Sequence, residues 1–213
     1  MSRSWLILWA AAMVAAAAGC AAGEQADRAP VSASSSEASA YYTGLSGECP
    51  TLTSPESARF TGSRTAEGIR SPKQSDSERI DCGWRPSSGA PPWVVVALTI
   101  HHGPDTARQA AEQHFNQDRA YDTSRADFSS AIRATERTTP SGPAYAVANA
   151  SRSGADELSQ TTLVGNVVVV VILFVKPDPG VDGSARAADL LTDLAATSDA
   201  ITAEIAGQLV SQS

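Results

Sequence analysis

Lysine is almost missing from this chain: Lys73 and Lys176 are the only lysines among 16 basic residues, and 23 acidic residues leave a formal net charge of −7. Without clustered basic side chains the chain cannot displace counterions along a phosphate backbone, which argues against nucleic-acid binding. The same shortage removes a basic patch for anionic lipid heads. Cysteine is scarce too, with three in 213 residues and no Cys-x-x-Cys pair. Neither a redox dithiol motif nor a four-cysteine zinc site can be built from that set. Histidine occurs only at His101, His102 and His114. There is no G-x-S-x-G turn to present a nucleophilic serine, and no glycine-rich phosphate loop.

The apolar stretch from Trp5 to Ala18 carries no charge and ends abruptly at Gly19-Cys20 and the polar GEQADR. A spanning helix needs about 20 apolar residues, so this run has the layout of a signal peptide instead. Ala17-Ala18-Gly19-Cys20 resembles the lipobox of bacterial lipoproteins, with Ala17 where leucine is preferred. The resemblance implies that residues 1–19 are a signal peptide, that Cys20 receives diacylglycerol, and that the mature chain begins there. Anchoring to the outer face of the cell membrane follows, since two or more acyl chains hold a protein stably on a bilayer. Cleavage removes Arg3 alone among the charges, so 15 of the 16 basic residues face 23 acidic ones, a net of −8.

Residues 20–46 are rich in Ser, Ala and small polar groups, too poor in bulky apolar side chains to build a core. They are expected to form a flexible tether with a root-mean-square span of about 30 Å. Tyr41-Tyr42 is expected to mark where that tether docks. Residues 47–213 then make one domain. Cys49 and Cys82 remain as an even pair in an oxidising compartment, which predicts a disulfide worth roughly 3–4 kcal/mol on the chain-entropy account. In RIDCGWR, alternation places Ile80, Cys82 and Trp84 on one strand face and Asp81, Gly83 and Arg85 on the other.

Ser54 as N-cap, Pro55 in the first turn and Glu56 after it predict a short helix in TSPESARF. RTAEGIRSPKQSDSER reads as an exposed loop, with Asp76, Glu78 and Asp81 on a solvated face. PWVVVALTI is apolar at both parities and predicts a strand covered on both sides. Gly103, Pro104 and Asp105 open a helix with a stripe of Ala107, Ala110, Ala111, His114 and Phe115. SAIRATERT and GPAYAVANA read as strands. ELSQTTLV, Gly165-Asn166 and VVVVVILFV form a hairpin through a two-residue primed turn. A helical pattern from Gly183 to Val210 is too long for so small a domain, and a break is expected near Thr197 to Asp199.

Strands framed by helices without regular βαβ alternation predict an α+β fold, a mainly antiparallel sheet packed with helices and stapled by one disulfide. Cys49-Pro-Thr-Leu-Thr before a Ser-Pro-Glu helix, Cys82-Gly83-Trp84 leading into an apolar strand, the Gly142 turn, the valine hairpin and the terminal Ala/Leu helix together resemble actinobacterial cell-envelope lipoproteins of unknown function. These share an early Cys and a later Cys-x-Trp. The resemblance implies a disulfide-stapled domain and brings no catalytic residues or cofactor.

Three histidines could in principle hold a zinc. Adjacent strand residues point to opposite faces, however, so His101 and His102 are not expected to converge, and His114 is expected to pack on its helix stripe. No catalytic residue, metal or cofactor is therefore expected. The expected function is a non-catalytic binding or accessory module for an apolar or amphipathic envelope ligand or a partner protein. The alternative is an envelope hydrolase whose site follows no motif.

Overall fold

The computed structural model describes residues 40–71, 74, 76–103, 105–150 and 154–212. The signal peptide, Cys20, the tether up to residue 39, Lys73 and Pro104 lie outside the described residues. The described residues form nine strands and four helices: β1 (Tyr42–Leu45), α1 (Pro55–Thr61), β2 (Glu67–Arg70), β3 (Ser77–Trp84), β4 (Trp93–His101), α2 (Ala107–Ser124), β5 (Ile132–Thr139), β6 (Gly142–Asn149), β7 (Asp156–Val164), β8 (Val167–Val175), α3 (Gly183–Asp193), α4 (Ala195–Ala206) and β9 (Leu209–Ser211). A 3-10 turn, Arg125–Phe128, follows α2. Seven strands make one sheet in the order β2-β3-β4-β8-β7-β6-β5, and β1 pairs with β9 beside it. Every pairing is antiparallel, so the fold is α+β.

The sheet is covered unequally. On one face Ile80, Trp84, Val94, Val96, Leu98, Val169, Val171 and Leu173 meet Phe60 of α1, Ala187 and Leu190 of α3, and Ile201 and Ile205 of α4. Alternation along each strand puts every second side chain into this core. On the other face α2 lies alone, and its Ala111 and Phe115 pack on Tyr145, Val147 and Val168. The Cys49–Cys82 disulfide is formed, with 5.8 Å between Cα atoms, and Cys82 is buried.

The predicted hairpin is β7–β8, turned by Gly165-Asn166 with Gly165 at φ 60°. A positive φ at the first turn residue alone is the II′ pattern, for which glycine is the natural occupant. The short helix is α1: the Ser54 hydroxyl accepts from Ser57 N–H at 3.2 Å, and Glu204 Oε2 accepts from Thr53 and Ser54 N–H.

Four expectations are corrected. The supposed loop of residues 64–79 contains β2, a strand with all four residues exposed whose hydrogen bonds come from β3. Glu78 is buried against the Arg70 guanidinium at 2.9 Å, and Asp81 is paired with Arg79, so this acidic run is only partly solvated. The terminal helix breaks at Leu194, three residues before Thr197, and its last residues form β9. The chain is already in a strand at Tyr42, within the stretch read as tether. Tyr42 N–H donates to Asn166 Oδ1 at 2.7 Å and Gly103 N–H to the Tyr41 hydroxyl at 3.0 Å, so the tyrosine pair does mark the docking point.

Candidate functional site

Because α2 crosses only part of its face, the strands toward β2 keep side chains in reach of solvent. Cross-strand register lines these residues up: Gly83, Val95, Ile172 and Ser159 form one row, and Trp93, Phe174 and Glu157 the next. Val95, Ile172 and Phe174 are partly exposed, whereas their neighbours Val94, Val96, Val171 and Leu173 on the opposite face are buried. The β4 strand is therefore covered fully on one side only, which corrects the expectation of cover on both.

Trp93 stacks on Phe174 with ring centroids 3.6 Å apart, and the Arg85 guanidinium lies 4.0 Å over the Trp93 ring. Trp93 is thus buried, stacked on Phe174 and capped by the Arg85 guanidinium, which holds the ring in place by cation–π attraction. Toward the β2 edge a shallow cleft of about 610 Å³ is lined by Glu67, Ile69, Asp81, Gly83, Arg85 and Val95. Ile69 at its lip is 72% exposed. On the α2 side Tyr121 is 70% exposed, and Phe128 in the 3-10 turn is 85% exposed. Ile69 stands at the β2 edge and Phe128 beside β5 at the other, so these exposed groups are separate single residues of the ordinary kind.

Polar groups under α2 border the same face. The buried Tyr145 donates its hydroxyl proton to Asp122 Oδ2 at 3.0 Å. Burial raises Asp122 above its ordinary value against the Tyr145 bond and Arg125, and burial likewise raises Glu157, with Arg125 opposing. Tyr145 is itself raised, by burial first and by the neighbouring Asp122 charge.

His101 and His102 diverge as expected, but His101 meets His114, which was not expected. His101 Nε2 and His114 Nδ1 lie 3.1 Å apart, and His114 Nε2 lies 3.1 Å from Asp118 Oδ2. His101 ends β4 on the face that α2 covers, and His114 is on α2, so the two elements bring them together. His102 does not join them: it lies beyond the strand, and its buried Nε2 has no hydrogen-bond partner among the described residues. With Asp118 ionised, His114 carries its proton on Nε2 and accepts from His101 Nε2–H through Nδ1. His101 Nδ1 then keeps a lone pair. Burial chiefly, and His114 next, hold His101 below the ordinary histidine value, while Asp76 opposes. Chemically the row can accept a proton and pass it along. Among the described residues, no group of three or more His, Cys, Asp or Glu side chains is arranged to hold a metal ion.

Of the other sites read from the sequence, Cys49 and Cys82 are joined as expected, and Cys20 lies outside the described residues. The sequence reading missed Asn166 as a clamp, the Tyr145–Asp122 bond and the half-covered face. An amide in a tight turn was the available signal for the first; the others depend on where α2 lands. Comparison with family models, curated proteins and solved structures finds no match to this chain.

Proposed function

We propose that this chain is a non-catalytic binding module of the cell envelope, anchored by lipid at Cys20, whose half-covered sheet face receives an apolar or amphipathic ligand or a partner protein. The observation that carries the binding reading is that Val95 and Ile172 in one row, and Phe174 in the next, are left partly exposed on this face. Burying such side chains contributes about 25 cal/mol per Å² of apolar surface removed from water. The Cys49–Cys82 disulfide is consistent with an extracytoplasmic location. No helix among the described residues is long and apolar enough to cross a membrane. The likeness to actinobacterial envelope lipoproteins with an early Cys and a later Cys-x-Trp, and the lipobox ending at Cys20, supply the anchor in this reading.

Native mass spectrometry of the full chain, extracted in detergent from its own envelope, tests it. A retained ligand or partner is expected, and Ile172→Arg is expected to remove it while leaving the melting temperature within about 2 °C, because the side chain reaches solvent. Retention unaffected by Ile172→Arg would overturn the placement on this face. The second reading, an envelope hydrolase, is favoured by the His101–His114–Asp118 row. Multiple turnover on an ester, glycoside or peptide panel, abolished by His101→Gln in a protein of unchanged stability, would establish it in place of the first.

A further inference from the structure

The paired imidazoles lie at the corner where the N-terminal strand is fastened. Asn166 joins the two features: its amide donates to Tyr42 O at 2.8 Å and to His101 O at 2.7 Å, and its Oδ1 accepts from Tyr42 N–H. His101 N–H in turn donates to Asn166 O at 3.0 Å. Two residues on, Gly103 N–H holds the Tyr41 hydroxyl. Any displacement of residues 101–103 therefore disturbs the bonds that hold both tyrosines.

The number of protons on the pair sets which hydrogen bonds it can keep. In the neutral pair the hydrogen bonds run from His101 Nε2–H to His114 Nδ1 and from His114 Nε2–H to Asp118, at 3.1 Å each. A first added proton enters at His101 Nδ1 while the bridging hydrogen moves onto His114 Nδ1, so the charge rests on His114 beside Asp118 and both bonds stay intact. A second has only His101 Nε2 left, and it sets N–H against N–H where one nitrogen had accepted. Two positive charges then face each other at hydrogen-bond distance in a partly buried place. The row accommodates one added proton and not two.

Other charges around the pair are few. On α2 Asp118 attracts protons, and Asp76 before β3 does the same at His101. His102 opposes a charge on His101. Arg79 on β3 is engaged by Asp81 and also feels Asp118. From the segment before β1 comes the Tyr41 hydroxyl, which accepts from Gly103 N–H.

We propose that the His101–His114 pair is an acid-operated latch: its double protonation pushes residues 101–103 away from α2 and thereby frees the Tyr41 hydroxyl from Gly103 and loosens Tyr42 from Asn166 in the β7–β8 turn. The depressed pKa of His101 fits this, since burial and His114 both resist its protonation. The two titration steps belong to the pair and not to either ring.

The test uses the full chain in detergent micelles. Hydrogen-exchange protection of the Tyr42 amide, which donates to Asn166, and of the Gly103 amide, which donates to Tyr41, corrected for the intrinsic rate, is measured from about pH 8 to about pH 5, where imidazoles change charge. Protection is expected to fall about tenfold or more across the second imidazole step, and His114→Gln is expected to abolish the step. An unchanged protection factor in the native chain, or a step that persists in folded His114→Gln, would overturn the proposal. If that variant fails to fold, imidazole carbon-bound proton resonances of the native chain decide: two steps separated by about one pH unit or more support the latch, and coincident titration rejects it.

Discussion

Tyr145 keeps its ring against Phe115, with centroids 5.4 Å apart, while its hydroxyl serves Asp122. Tyr145→Phe preserves the packing and leaves a half-buried carboxylate without its donor. Such a loss costs about 1–3 kcal/mol, to be read from urea denaturation at neutral pH. Glu157 makes a different prediction. Its carboxyl is raised by burial, so the folded chain binds that proton more tightly than the unfolded chain does. The corresponding stability is present in acid and is lost as pH rises through the folded pKa. Glu157→Gln is therefore expected to raise the denaturation midpoint at neutral pH, with the gain fading below the ordinary glutamate range. Glu204 has the opposite sign. Burial alone would raise it, but hydrogen bonds from Ser54 and Thr53 at the start of α1 outweigh that and lower it. Its contribution is complete above the ordinary glutamate value and is lost as pH falls through the folded pKa.

Element by element, the parts written in local chemistry were readable and the parts held by distant partners were not. The β7–β8 hairpin needs only its turn dipeptide and β-branched valines, and the start of α1 needs only Ser54 and Pro55. By contrast β2 has no apolar alternation, and it is a strand because β3 supplies its hydrogen bonds. The bend at Leu194 escapes the spacing argument because the apolar pattern continues through it. There the Ser198 N–H still reaches Leu194 O, while Arg137, Gln160 and Asp199 close a ring of hydrogen bonds that ties α4 to β5 and β7. The meeting of His101 with His114 escaped for a related reason: periodicity describes each element alone and does not say how α2 is laid over β4. One consequence of β2 can be checked directly. A Cβ built on Gly68 would lie 2.7 Å from Cys49 Sγ, so β2 runs directly over the disulfide. Gly68→Ala is expected to destabilise the oxidised protein by about 1–3 kcal/mol, the usual range for overpacking. Reduction should relieve that clash and narrow the difference between the variant and the native chain, as thermal unfolding with and without reductant would show.

For the whole molecule, the proposed anchor at Cys20 and the fold are separable. Cys20→Ala is expected to release the domain from the membrane fraction with its melting temperature unchanged, and intact-mass analysis of the native chain should show diacylglycerol on a mature terminus at Cys20. The pairing of β1 with β9 reaches further. Tyr42 lies opposite Ser211, and Gln212 N–H donates to Tyr41 O, so the first strand finds its partner in the last. Contacts so distant in sequence form slowly, because a long loop must close before they reward it. A chain exported amino end first, as the proposed anchor at Cys20 requires, would hold β1 unpaired until nearly all of it had crossed. The pairing that closes the amino end of the fold would thus be completed last, long after Cys20 itself had crossed.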